Sequence, residues 1–311
     1  MKSVQKAAQY VKIEKKKFIF FTSFGVSLIL FFVLGFLYQR YIVKQIDTSL
    51  NGSEIKEIHQ NSIPADVKKR MSQNTSATIS ASLRLPILMY HYVEYVQDKN
   101  DKTRVSLDTL PTTLDAQVQT LKNAGYTFLT MSEVADVLDG KIKLASPSVA
   151  LTFDDGYQDF YTDAYPILKK YNVKATNYVI SGFLDHPNHL YTWQVREMSD
   201  SGIIEIGAHT VHHDWLKGKS LQEDTTETAQ SKVVLEAITG KPVVSFAYPF
   251  GAFDAQSIDV IRGVGFRTAT STIPGIVQSN DNRYFLYRLR PGVRRGQDLL
   301  NWLNQSTFKP W

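Results

Sequence analysis

From Leu85 onward the chain alternates between short apolar, β-branched runs and longer amphipathic ones. LPILMYH (85–91), TFLTM (127–131), SVALTF (148–153), ATNYVI (175–180), IIEIGAH (203–209), VVSFAYPFG (243–251) and FRTATST (266–272) read as strands. TLDAQVQTLKNAG (113–125), SEVADVLDG (132–140), YTDAYPILKKYN (161–172), TWQVREMSDSG (192–202), LQEDTTETAQSKVVLEAITG (221–240) and SIDVIRGVG (257–265) read as helices. Strands taken in turn with helices predict an α/β fold with a largely parallel sheet or barrel. In such folds chemistry collects where the strands end at their C-terminal side.

The N-terminal pattern is different. Residues 18–38, FIFFTSFGVSLILFFVLGFLY, carry no charge, and a helix of that length spans a bilayer core of about 30 Å. Residues 1–17 hold six lysines and one glutamate, whereas residues 39–58 hold three basic and three acidic side chains. This asymmetry predicts a cytoplasmic basic tail (1–17), a single transmembrane anchor (18–38) and everything beyond Tyr38 outside the cell. QRYIVKQ, just after the apolar run, offers no small-residue cleavage site, so a cleaved signal peptide is disfavoured. Residues 39–83 are polar and end in QNTSATISAS, which reads as an extracellular stalk carrying a solvent-exposed His59. The folded domain is expected at 84–311.

Charge and composition then remove alternatives. The formal net charge is +5, and the tail accounts for all of it. A nucleic-acid partner, which would need its excess charge on the folded domain, is therefore not expected. With no cysteine in 311 residues, disulfides, thiolate metal sites and thiol nucleophiles are excluded.

Four strand ends carry polar chemistry: His91, the pair Asp154–Asp155, HTVHH (209–213) and YPFG (248–251). His209 and His213 stand four apart, so one helical turn would bring both imidazoles to one face. With one carboxylate they make a His₂–carboxylate set that leaves metal positions open for water and substrate. A divalent cation beside Asp155 would also let two adjacent carboxylates coexist. His212 is expected to point away, His186 and His189 to lie on a Pro/Asn surface loop, and Trp193 and Trp215 to be either sugar-stacking surfaces or packing.

TFDDGY, HTVHH and the spacing of ILMYH, TWQVREMSDSG and FAYPFG resemble the polysaccharide deacetylases with a NodB-homology domain, carbohydrate esterase family 4. The resemblance covers about residues 85–305. It implies a distorted (β/α)7 barrel that removes acetyl groups from N-acetylhexosamine polymers with zinc, or with another divalent metal such as cobalt or nickel. It also implies Asp154 as general base, Asp155, His209 and His213 as metal ligands, and the Phe250 backbone N–H as an oxyanion donor, for metal-assisted hydrolysis. Tyr157, Trp193, Tyr248 and Arg288 are the residues expected to meet the substrate.

The chain departs from the family pattern twice. No histidine follows His213, so the usual C-terminal Leu-x-Leu-His acid is missing; His91, ending PILMYH, is its chemical equivalent. This resembles the circularly permuted subgroup that includes the intercellular-adhesin deacetylases acting on poly-β-1,6-N-acetylglucosamine. The arginine that steadies the base is replaced by Ala247 in FAYPFG, and Arg288 or Arg290, in YRLRPG, is offered in its place. The expected activity is N-deacetylation of an extracellular N-acetylglucosamine polymer, with peptidoglycan or another wall glycan as the alternative substrate. A silent glycan-binding protein would instead have lost the base or the acid.

Overall fold

The structure, a computed structural model, describes residues 60, 62–73 and 82–308. It opens with helix α1 (Ala65–Gln73), strands β1 (Leu83–Arg84) and β2 (Ile87–Tyr90), and helices α2 (Lys102–Leu107) and α3 (Pro111–Asn123). The expected alternation follows: β3 (Thr127–Leu129), α4 (Met131–Leu138), β4 (Ser148–Phe153), α5 (Tyr165–Tyr171), β5 (Ala175–Val179), α6 (Thr192–Asp200) and β6 (Ile204–Ala208). Then come α7 (Leu221–Thr239), β7 (Ser245–Ala247), α8 (Ala255–Val264), β8 (Thr268–Pro274), β9 (Val277–Gln278), β10 (Leu286–Arg288) and α9 (Gly296–Leu303). The tail and the apolar run 18–38 lie outside the described residues, as do His59 and most of the stalk. Among the described residues no helix is long and apolar enough to cross a membrane.

Seven strands pair in parallel in the order β10-β8-β7-β6-β5-β4-β2. The ends of that row then meet. Leu289 N–H donates to the Ile87 carbonyl (2.8 Å), and Met89 N–H donates to the Leu289 carbonyl (2.9 Å). The sheet is therefore a barrel, and it is distorted. β6 and β7 share one residue pair, Ala208 with Phe246, and the β8–β10 register shifts between Leu286 and Arg288. β3 pairs only with the first half of β4, whereas β5 joins β4 at Thr152.

The strands are apolar on both faces because both faces are covered. All six residues of β4 and all five of β5 are buried. Their outer faces pack under helices, where Leu114, Val118 and Leu121 of α3 join Val149, Leu151 and Phe153 in one core. Inside, room is made locally: a Cβ on Gly207 would lie 2.4 Å from Tyr178 Cδ1, so the buried Tyr178 ring occupies the space a side chain on β6 would need. Helix starts are set by polar caps, with Thr130/Glu133 opening α4 and Ser220/Glu223 opening α7 as reciprocal boxes.

One segment from the stretch expected to be stalk folds onto the barrel. Helix α1 lies against α8. Arg70 pairs with Asp259 (2.7 Å), Asp66 accepts the Ala255 N–H (2.8 Å), and Val67 is buried in the core.

Candidate active site

Parallel pairing brings the C-terminal ends of β2, β4, β6, β7 and β10 to one end of the barrel, and the polar residues predicted there meet. Asp155 Oδ1 lies 3.1 Å from His209 Nε2 and 3.2 Å from His213 Nε2. One donor atom from each lies within 4.8 Å of the others. Asp155 and His209 are buried and His213 is partly open. Neither ring aligns to hydrogen-bond with the buried Asp155 Oδ1, which has no hydrogen-bond partner. His209 Nδ1 sits 2.7 Å from the Ala247 carbonyl. A carbonyl only accepts, so the Nδ1 proton is fixed there, which leaves Nε2, on the Asp155 side, as the nitrogen a metal would take. Two imidazole nitrogens and an orphaned carboxylate oxygen converging on one point fit a divalent cation. Burial opposes the Asp155 charge, but His213 and His209 more than offset it and hold the carboxyl well below its usual range.

The route to this arrangement is not the one the spacing suggested. Residues 209–213 form no helical turn; the chain bends back through left-handed residues at Thr210 (φ 63°) and His213 (φ 61°). Asp155 (φ 74°) and Phe250 (φ 57°) share that conformation. Non-glycine residues adopt it at a cost, and such strain gathers where a site over-determines the backbone.

Asp154 has separate partners. Arg288, fully buried, reaches across the barrel and donates through both terminal nitrogens, at 2.7 and 2.8 Å, to the two carboxylate oxygens. Its Nε–H donates to the Ser271 carbonyl (2.8 Å), which holds the guanidinium plane. Burial opposes ionisation of Asp154, but the Arg288 charge and then His91 lower it below the ordinary carboxylate range. Arg288 thus stands where the sequence lacks an arginine at Ala247, and it does not face a glycan as first expected. His91 Nε2 lies 4.0 Å from Asp154 Oδ2. Burial, followed by the Arg290 charge, pushes its imidazole down to about 3, so the resting ring is neutral.

The remaining expectations divide. Tyr157 stacks on Tyr92 (centroids 3.9 Å apart) beside the metal triad, where burial and then the Asp155 charge raise its hydroxyl well above the usual range. Tyr248 is not at a substrate surface: it is fully buried, and its hydroxyl donates to the Tyr284 carbonyl (3.0 Å). Trp193 is exposed but packs edge-on against Tyr161, which contacts Tyr165 of α5. Trp215 meets the Phe250 ring, which in turn lies 4.6 Å from His213. His212 points away and bonds Glu227 (2.6 Å). His189 is no plain surface histidine; its ring lies 5.2 Å from Tyr157, at the rim of the site. The sequence did not single out the Ala247 carbonyl or Ser271, because both act through backbone atoms that any residue carries.

A sequence profile of the polysaccharide deacetylases matches residues 141–269. The Bacillus subtilis (strain 168) protein YxkH, a polysaccharide deacetylase by name, is 33% identical over 229 residues, which is 72% of this chain and 79% of its own. The Staphylococcus aureus poly-β-1,6-N-acetyl-D-glucosamine N-deacetylase is 29% identical over 188 residues, 56% of this chain and 64% of its own. Among solved structures, the Streptococcus pyogenes deacetylase PplD in complex with acetate superposes with a TM-score of 0.66 at 32% identity, covering 72% of this chain and all of that one. With barrel, triad and sequence in agreement, the chain belongs to the polysaccharide deacetylase family, hydrolases of non-peptide carbon–nitrogen bonds.

Proposed function

We propose that this chain is a zinc-dependent deacetylase of extracellular poly-β-1,6-N-acetylglucosamine, held at the cell surface by the apolar segment 18–38. The observation that carries the reading is the split of the adjacent carboxylates: Asp155 converges with two histidines, while Asp154 is kept ionised by Arg288 beside His91. The substrate choice is supported by the name of the staphylococcal relatives and by the displaced acid at His91.

The chemistry supplied by a divalent cation held by Asp155, His209 and His213 is Lewis acidity toward water and the acetamide carbonyl. Asp154 accepts the proton of the attacking water as its oxygen bonds to the acetyl carbon. The Phe250 N–H donates to the developing oxyanion. The amine must leave protonated. His91, neutral at rest and 4.0 Å from Asp154, gains that proton through an intervening water and passes it to nitrogen as the carbon–nitrogen bond breaks. The products are acetate and a free amine on the glycan.

Acetate release by the full, zinc-loaded chain in detergent, from poly-β-1,6-N-acetylglucosamine and from peptidoglycan, tests the proposal. Faster release from the former supports it, release from peptidoglycan alone moves the substrate to the cell wall, and tight binding without release defeats the enzymatic reading. Asp154→Asn should abolish turnover with zinc retained, and Asp155→Asn should weaken zinc binding. Equal zinc content in both variants would overturn the division of roles.

A further inference from the structure

We propose that residues 60 and 62–73, outside the barrel, are a positioning strap for the oxyanion donor, clamping the Phe250 loop in its left-handed turn. The inference rests on the deacetylase reading, in which the Phe250 N–H is that donor.

Phe250 sits at φ 57°, ψ 8° inside the turn Pro249–Gly251. A bulky aromatic residue enters this region only at a cost, so something outside the turn must hold it there. Its carbonyl accepts the Gln60 backbone N–H at 3.3 Å. Thr272 Oγ1 donates to the Gln60 carbonyl at 3.0 Å and lies 3.4 Å from the Phe250 carbonyl. Gly251, at φ 66°, presses against the same threonine so closely that a Cβ would fall 2.1 Å from Oγ1. Gln60 and Thr272 therefore grip the Phe250–Gly251 peptide from two sides. Rotating that peptide would carry its carbonyl away from both groups.

The strap is secured a short way along. Asp66 accepts the Ala255 N–H at the start of α8, Arg70 bonds the Ala255 carbonyl (3.2 Å) and Asp259, and Val67 is buried in the core. One segment thus holds the loop 250–255 at both ends. The grip is by main chain: the Gln60 side-chain amide is buried, and neither of its polar atoms has a hydrogen-bond partner. Substituting that side chain therefore removes packing but no bond to the loop.

The test uses the full zinc-loaded chain and whichever glycan the wild type deacetylates. Gln60→Pro deletes the N–H and should lower kcat about tenfold or more, with KM and zinc stoichiometry within about twofold of wild type. Gln60→Ala keeps the N–H and should recover most of kcat. Thr272→Val should lower kcat in the same way, and Thr272→Ser should restore it. No acetate from the wild type sinks the deacetylase reading and the strap with it. Wild-type turnover together with an unimpaired Gln60→Pro, with equal losses in Gln60→Pro and Gln60→Ala, or with losses that track zinc content, sinks the strap alone.

Discussion

Arg288 and Asp154 are 134 residues apart in the chain and form the most deeply buried charge pair of the site. Removing two charges from water is costly, and here the cost is met by a two-pronged hydrogen bond and by the Ser271 carbonyl on Nε. The geometry predicts unequal substitutions. Arg288→Lys keeps the charge but loses the planar fork, so Asp154 is free to rotate. In steady-state assays kcat should fall by about 10²-fold with bound-metal content unchanged. Arg288→Met leaves a buried carboxylate unpaired and should cost about 3–5 kcal/mol in urea unfolding. An Arg288→Lys enzyme with full kcat would refute this role.

Among elements, β5 and β6 are coupled through an absent side chain. Tyr178 lies across Gly207, where a Cβ would meet ring carbons at 2.4 and 2.5 Å and Ser245 Oγ at 2.9 Å. The ring is fully buried, with the Arg288 guanidinium 5.9 Å from its centroid. A displaced ring would disturb its neighbour Arg288, which orients Asp154. Gly207→Ala should therefore destabilise the barrel by roughly 1–3 kcal/mol, measured as a lower thermal midpoint, and should lower kcat as well. The turn at 209–213 is another lesson at this scale. The four-residue histidine spacing marks one site, but the loop, and not a helix, creates it.

Over the whole molecule, the pH dependence of stability should carry the signature of Asp159. This residue accepts the Val93 N–H at 2.5 Å and ties the chain after β2 to the chain after β4. Its other oxygen is buried without a hydrogen-bond partner. Burial first, and then the Glu94 charge, raise its carboxyl to about 7. A folded-state pKa above the unfolded one means the folded protein binds more protons between about pH 4 and 7. The contribution of Asp159 to stability is thus complete at low pH and lost as pH rises through that window. Asp154 and Asp155, whose pKa values are depressed, act with the opposite sign and lose their contribution as pH falls below about 4. The difference in thermal midpoint between wild type and Asp159→Asn isolates the first effect. It should favour the variant increasingly from pH 4 to 7, and a flat difference would contradict the assignment.

Elements and their order were legible in the sequence because hydrophobic periodicity is local: each buried strand must be apolar wherever it ends up. Asp154, Asp155, His91, His209 and His213 were legible for a related reason, since parallel strands carry their C-terminal residues to one end whatever the details of closure. Tertiary structure alone decided that Arg288 holds Asp154, that Tyr248 belongs to the core, that the Ala247 carbonyl orients His209, and that Gln60 grips Phe250. Those contacts join residues distant in the chain, often through backbone atoms common to every residue. No composition or spacing encodes them, and they exist only once the barrel has closed.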